Sequence, residues 1–584
     1  MKILRRVLYT VLLLAAAYAI GLAIFGTPFA LLAALQNVSI RNPPGTLSVE
    51  ARPGAAAPTE ASPTTSDTPD PGEWPSYNRT LTSERYSPLE QINRQNVHSL
   101  RVRCTYDSKF YENFTSGPIM VDGALIATGA FDTFSIDPAT CKQNWRVHEH
   151  YASHSPVMAS RGAAYLNGRV FRGTLDGRVL AYDGHTGKRL WEVSVADPKL
   201  GSYIPAAPIA WNGMVFIGIA GGDYKGIKGR MYGIAAASGQ IVWETYLVPR
   251  QPGDLSFGPA GSIPDSALES WGNRDTPDLP ISGGATWTSY TLDPQRGWLY
   301  IPVGNPGPDF ADAARPGNDL YADSVLVLEA KSGNYVRHFQ ADPRDWHDYD
   351  MSNPPALIHT RAGVSLMTFS PKNGYLYGVD AVSNELRYRR PVTRIENPEL
   401  EFSTTQDSHF CPGTSGGGEW NGAAYDPRTN LIFTAEDDWC SSVMRATDAE
   451  LKATGAGGLW FGVGSHALFA KADPHSQWGG WVYASDADSG EWKWRARSNY
   501  PTLSGVTPTG GGLVFLGDMG GDLYALDTRN GQRLWSLTVR GAVAGGIISY
   551  AVAGSQRIAV AYGMTSVVWP TAPSSAKIMI LGLP

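Results

Sequence analysis

The sequence is poor in charge. Charged residues make up 17% of 584, with 48 Lys plus Arg against 54 Asp plus Glu and a net charge of −6. That excludes a broad basic face for nucleic acid, and 43% hydrophobic residues exclude a disordered chain. Cysteine is scarce too. The four present, Cys104, Cys141, Cys411 and Cys440, form no C-x-x-C and no C-x-x-C-H, so a zinc ribbon and a c-type haem site are excluded. Walker A and H-E-x-x-H motifs are absent. Gly413-Thr414-Ser415-Gly416-Gly417 fits G-x-S-x-G but lies in a glycine-rich loop without strand-to-helix context, so it does not read as a nucleophile elbow. His148-Glu149-His150 with His154 reads as polar surface rather than a metal centre. Long apolar runs are also lacking, with one exception, which excludes a multi-span membrane protein.

That run extends from Val7 to about Leu35, behind Lys2, Arg5 and Arg6. It is long enough to cross a hydrocarbon core of about 30 Å. The basic residues stay on the cytoplasmic side and the bulk of the chain is exported. An uncleaved anchor over residues 1–40 is expected; a signal peptide cleaved around Ala17-Tyr18-Ala19 is the rival. Residues 41–72, with Pro43, Pro44, Pro53, Pro58, Pro63, Pro69 and Pro71, read as a semi-extended tether that cannot bury a core. The globular part is expected over 73–584. An even cysteine count in an exported protein suggests two disulfides. Of three possible pairings, the local one, Cys104–Cys141 with Cys411–Cys440, is expected.

What is abundant is glycine (64), proline (41), tryptophan (18) and tyrosine (27), the composition of many short strands joined by tight turns. One pattern recurs: a short strand, Asp, two variable residues, Ser/Thr/Asn-Gly, then Trp. It runs from Ala181-Tyr182-Asp183 through Thr186-Gly187 to Trp191. It returns at Gly233 to Ser238-Gly239 and Trp243, at Asp486 with Ser489-Gly490 and Trp494, and at Asp527 with Asn530-Gly531 and Trp535. Weaker copies begin at Ser135, Val327 and Gly378. Asp opens a hairpin loop, Gly supplies the φ > 0 position that closes it, and Trp carries a flat surface that only a neighbouring unit can bury. Four strands per unit is the signature of a β-propeller, here eight-bladed at roughly 64 residues per blade. The C-terminal strands from Ile547 to Leu583 would complete the last blade together with the segment after Trp74, closing the ring without open edges. The intervals Trp243–Arg337 and Tyr388–Trp494 are long, and such excess becomes functional loops on one face.

Two segments carry candidate chemistry. Asp342, Asp345, Asp348 and Asp350, interleaved with Trp346, His347 and Tyr349, are costly unless a cation sits nearby, and Asp348 and Asp350 face the same way on an extended segment. An oxygen-liganded hard cation suits them. The strand Ile217–Ala220 runs into Gly221-Gly222-Asp223, where a flat ligand could approach the backbone closely and Asp223 could meet a cation.

With these features, with Ser83-Glu84-Arg85-Tyr86-Ser87-Pro88-Leu89 and with Gly283-Gly284-Ala285-Thr286-Trp287, the chain from Trp74 to Pro584 resembles the eight-bladed quinoprotein alcohol dehydrogenases. These are the methanol dehydrogenase-like enzymes that use pyrroloquinoline quinone (PQQ). The resemblance implies oxidation of an alcohol or related hydroxyl compound by hydride transfer to PQQ, with Ca2+ or a lanthanide. It implies Trp287 as the stacking floor, Arg161 and Lys372 as cationic partners, Gly221 and Gly222 at the cofactor, and Trp420 and Asn421 as further cofactor contacts. It implies Asp223, Asn305, Asp348 and Asp350 as metal ligands, with Asp348 the catalytic base and Asp350 the extra carboxylate of lanthanide-using members. Cys411 and Cys440 match a structural disulfide of the family. Three departures stand out: Ser155-Pro156 replaces the vicinal cysteine pair, Pro205 replaces a threonine, and Asp223 replaces a glutamate. Because there is no haem site, the electron acceptor is expected to be a separate cytochrome c or a membrane quinone, and the location the periplasmic side of a bacterial inner membrane. The alternative is a noncatalytic propeller scaffold of similar fold.

Overall fold

A computed structural model describes residues 2–25, 27–40, 43–56, 58–60, 69–155, 157–272 and 276–584. Among them the chain is an all-β propeller. Seven four-stranded antiparallel sheets and one six-stranded sheet follow one another along the chain. The repeated turn explains how they join. Asp183 Oδ1 accepts hydrogen bonds from Thr186 N at 2.8 Å and Thr186 Oγ1 at 2.7 Å, which folds the loop. Gly187 then closes it at φ 71°. A Cβ at Gly187 would sit 2.7 Å from the ring of Trp145, the tryptophan of the preceding sheet. Trp145 Nε1 also donates to Gly184 O at 2.9 Å. The same docking recurs for Trp191 on Ala236 O, Trp243 on Ala330 O and Trp494 on Thr528 O. Tyr388 replaces tryptophan once and donates to Ala487 O at 3.1 Å. Five sheets therefore dock an aromatic residue on the turn of the next, as the repeat predicts, and in a sixth Arg337 takes that place, its Nη2 donating to Ala381 O at 2.6 Å.

The ring closes with strands from both ends. Arg101–Asp107 pairs antiparallel with Lys577–Gly582, outside the strands Ser555–Tyr562 and Ile547–Val552. Cys104, on that outermost strand, is bonded to Cys141 in the turn of the following sheet, and Cys411 is bonded to Cys440. Both disulfides have the expected pairing.

The N-terminal apolar run differs from the single spanning helix expected. It forms two helices, α1 (Lys2–Phe25) and α2 (Pro28–Asn37), whose apolar stretches meet at 99°. Thr27 explains the break: its hydroxyl accepts from Ala30 N at 3.0 Å as an N-cap, and Pro28 at the first helical position has no N–H to continue α1. No single helix among the described residues is long and apolar enough to cross a membrane, although the bent pair passes by length and composition. One side of α2 is buried on the propeller. Ala30 packs with Ala130, Phe131 and Met158, Phe29 meets the His154 ring at 5.6 Å, and Asn37 Nδ2 donates to Ser566 O at 3.0 Å.

The proline-rich tether does more than join. Leu47–Ala51 adds an outer strand, pairing with Trp494–Ser498. It is largely exposed, so it buries little, in keeping with its composition. Glu60 pairs with Arg94 and Arg428 further along. Pro63 and Pro156 lie outside the described residues.

Candidate active site

The two long intervals between turn motifs converge on one face, as their length predicts. Trp243–Arg337 supplies Trp287, Asn305 and Asp309. Tyr388–Trp494 supplies Thr414 to Trp420 and the segment Leu459–Ala472. Together with residues of the shorter loops they line a cavity of about 560 Å³, a size suited to a small cofactor plus substrate. The two intervals are tied by Phe310 N, which donates to Phe461 O at 2.8 Å, and the second is tied to the loop after Gly222, where Trp460 N donates to Asp223 O at 2.7 Å and Lys225 N to Gly458 O at 2.9 Å.

Asp223, Trp287, Asn305, Asp348, Asp350, Lys372, Arg161, Gly221, Gly222 and Trp420 all line this cavity. The glycines are required by space. Gly221 has φ 105°, and a Cβ there would lie 2.6 Å from Gly201 O. A Cβ at Gly304 would lie 2.3 Å from Asp350 Oδ1, so glycine at that position lets the carboxylate approach. Asn421 does not line the cavity. It sits behind the wall, where its Nδ2 donates to Leu503 O at 2.6 Å and its Oδ1 accepts from Tyr77 at 3.1 Å.

Lys372 organises the acids. Its buried ammonium lies 2.6 Å from Asp350 Oδ2 and 3.3 Å from Asp348 Oδ2. The other oxygen of Asp350 accepts from Trp287 Nε1 at 3.2 Å and from Asn305 N at 3.1 Å. Indole, asparagine and lysine are thus gathered around one carboxylate. Asp348 has φ 67°, a strained backbone for a non-glycine residue of the kind that collects at functional sites. Burial pushes its carboxyl well above the usual range, Lys372 opposes this, and the charges of Asp350 and Asp223 add to it. Asp348 is therefore not the ordinary acid, ionised far below neutral pH, that its residue type implies; desolvation makes it hold a proton to higher pH. Burial, then the Asp350 charge, pushes Asp223 up to about 6. For Lys372, burial alone would lower the pKa, but Asp348, Asp350 and Glu419 raise it well above the usual value.

The opposite wall is cationic and aromatic. The Arg161 guanidinium carbon lies 4.0 Å from the Trp420 ring centroid and 5.2 Å from that of Trp287. Burial lowers Arg161 to about 10, so it remains a cation at neutral pH. Its Nε has no partner among the described residues. Pro205, where the threonine was expected, lines the cavity and accepts Arg161 N at 2.8 Å. Ser155 is buried beside Val157, a lining residue.

Sequence reading missed several lining residues. Glu419, which burial pushes up to about 7, is one. Trp439 and Trp569 form an aromatic wall, with ring centroids 5.9 Å apart. Asp309 is a further cavity acid beside Asp223, Asp348, Asp350 and Glu419. Lone acids and tryptophans in irregular loops have no periodicity to betray them; adjacency to Asn305 was the one available signal for Asp309.

Asparagine and carboxylate oxygens suit a hard cation rather than zinc. Their convergence is looser than expected of a closed site: among the described residues no three acidic side chains bring an oxygen each within 4.8 Å of one another. The cluster that does meet this distance, His409 with Cys411 and Cys440, uses sulfurs already joined in a disulfide. The indole of Trp287 with Arg161 and Lys372 at its edges suits a flat anionic ligand.

The chain is similar to known proteins over most of its length. The family model for the glucose/ethanol/alcohol dehydrogenase β-propeller domain matches residues 74–386, and that for the outer membrane protein assembly factor BamB matches 479–571. The dehydrogenase subunit of the quinone alcohol dehydrogenase of Acetobacter aceti is 28% identical over 536 residues, covering 84% of this chain and 71% of that protein. The lanthanide-dependent methanol dehydrogenase of Methylacidiphilum fumariolicum is 27% identical over 518 residues, covering 82% and 83%. The solved structure of quinohemoprotein alcohol dehydrogenase ADHIIG from Pseudomonas putida superposes with a TM-score of 0.77 at 25% identity, covering 88% of this chain and 80% of that one.

Proposed function

The chain belongs to the PQQ-dependent alcohol dehydrogenase family, and we propose that it oxidises an alcohol or related hydroxyl compound with bound PQQ and Ca2+ or a lanthanide. The observation that carries this reading is the meeting of Trp287, Arg161, Lys372, Asp223, Asn305, Asp348 and Asp350 in one cavity. We read the sheets as eight blades, with this cavity at the mouth of the ring.

The residues present fit both groups. PQQ is a flat tricarboxylate: Trp287 gives it a floor, Arg161 and Lys372 give cationic partners, and Gly221 and Gly222 let the backbone approach. Trp420 holds Arg161 in place through its ring while its own N–H is bound to Ala544 O at 2.9 Å. Asp223, Asn305, Asp348 and Asp350 would hold the cation. When bound, the quinone supplies the hydride acceptor and the cation the Lewis acid. Asp348 takes the hydroxyl proton of the substrate on a carboxylate oxygen. Lys372 favours the ionised form of Asp348 against burial, and Trp439 and Trp569 screen the cavity from water.

The acceptor of the electrons is a cytochrome c or a membrane quinone. The protein is exported to the periplasmic side of a bacterial inner membrane and anchored by its N-terminal helices. The position of α2 supports this. It packs beside Met158 and Ser566, whose neighbours Val157, Ala159 and Val567 line the cavity. Leu468, 89% exposed, and Leu459, 52% exposed, lie at the same mouth. The mouth therefore faces the bilayer.

Substitution of Asp348 by Asn tests the reaction. The amide keeps an oxygen but cannot take the proton, so turnover with a dye acceptor should fall about 10²–10⁴-fold while the absorbance of bound quinone persists. Parental turnover in a variant that binds quinone removes Asp348 as the base. A parent that never binds the quinone returns the protein to the scaffold reading.

A further inference from the structure

We infer that Asp309 is a further ligand of the cation in this cavity, a fourth carboxylate whose charge selects a trivalent over a divalent ion. The inference rests on the metal-assisted reading above and adds a residue to it.

Asp309 is 1% exposed, and both its carboxylate oxygens lack a hydrogen-bond partner. Arg315, the nearby cation, is spent elsewhere. Its Nη1 binds Asp319 Oδ2 at 2.6 Å, and its Nη2 takes the backbone oxygens of Pro308 at 3.1 Å and Asp309 at 3.2 Å. The backbone around Asp309 is fixed: Phe310 N donates to Phe461 O at 2.8 Å. The side chain thus lines the cavity from a braced segment rather than a loose one. A buried carboxylate without partners is costly. A cation satisfies both oxygens.

The other acids of the cavity share that cation. Burial, and then the charges of Asp223, Asp348 and Asp350, hold the Asp309 carboxyl well above its usual range. Those three are the acidic residues already assigned to the metal. Asp350, by contrast, arrives occupied: Trp287, Asn305 and Lys372 already donate to its two oxygens. Asp309 keeps both oxygens free for coordination. Charge completes the argument. With all five lining carboxylates ionised, the Lys372 and Arg161 cations leave three negative charges on the cavity wall, which a lanthanide(III) matches and calcium does not.

The test is binding of terbium(III), read by luminescence sensitised through Trp287, and of calcium by calorimetry, on the purified full chain. Asp309→Asn should weaken terbium about 10–100-fold and calcium distinctly less. A second measurement does not depend on the affinity of the variant. In chelator-treated protein Asp309→Asn should unfold at a higher temperature than the parent, because an unpaired buried charge is gone, and terbium should raise its unfolding temperature less. Asp223→Asn serves as the comparison. If it loses terbium while Asp309→Asn binds at parental strength, the role of Asp309 is overturned and the proposed function stands. Equal losses for calcium and terbium overturn the selectivity. If the parent binds neither ion, the metal-assisted reading falls and this inference falls with it.

Discussion

Lys372 stands between two carboxylates, 2.6 Å from Asp350 and 3.3 Å from Asp348, and its charge sets how readily Asp348 ionises. Burial raises the Asp348 carboxyl; Lys372 is the influence that opposes it. A base must be deprotonated to act, so activity should fall as pH drops through the raised Asp348 pKa, well above the ordinary aspartate value of about 3.9. Lys372→Met removes the opposing charge without removing the packing of the alkyl stem. The acid limb of kcat/KM should move to higher pH in that variant, and a limb that stays put would show that Lys372 does not tune the base. At this scale the sequence was partly readable. Asp348 and Asp350 could be found because aromatic residues interleave them, and aromatic neighbours signal burial. Asp309 and Glu419 could not. Each is a single acid beside glycine or proline, and its place in the wall is a property of the folded cavity alone.

The repeated turn and the N-terminal helices show how much a local pattern determines about an element. Asp183, Gly187 and Trp191 are legible because each answers a separate need: loop closure, positive φ and burial on a neighbour. The pattern tolerates replacements that obey the same physics. Cys141 at φ 60° and Asn384 at φ 66° stand at the closing position in two weaker copies, and Tyr388 does the work of tryptophan against Gly490. The apolar run was read from its length, its lack of charge and its basic flank, and the structure divides it into two helices. Thr27-Pro28 is an N-cap followed by a helix-starting proline, a signal that outweighs hydrophobic continuity. Two helices meeting at 99° can still attach the chain to a bilayer, since α2 leaves Leu32, Leu35 and Val38 exposed while its other side packs on the propeller. Full-length protein should sediment with membranes and retain its N-terminal residues. Protein lacking residues 2–40 should remain in the soluble fraction. A full-length chain that is soluble, or a mature chain that begins just beyond Ala19, would remove the anchor.

Over the whole molecule, the ring is closed by Arg101–Asp107 on Lys577–Gly582, which the sequence foretold from the need to hide edges. The outer strand Leu47–Ala51 was not foreseen, because an edge strand with exposed side chains has the composition of a tether. The closed ring also buries many acids outside the active site, and these govern how stability responds to pH. Burial, then the Asp132 charge, raises Glu112 to about 8. Burial, against the Ser370 hydroxyl, raises Glu436 to about 8. Asp319 and Asp518 are raised by burial to about 7. In the unfolded chain these groups titrate near ordinary carboxylate values of about 4. Between roughly pH 4.5 and 8 the folded state therefore binds more protons than the unfolded one, and linkage requires stability to fall as pH rises. Acids held below the usual range, such as Asp183 and Asp137 in the turns, act in the opposite sense, but only at lower pH. The unfolding temperature should consequently be higher near pH 5.5 than near pH 8.5. Glu112→Gln removes one contributor while keeping an oxygen for Ala130 N, now 2.7 Å from Glu112 Oε2, and should flatten the slope. A parental unfolding temperature that rises over this range would mean that the buried acids do not control the balance.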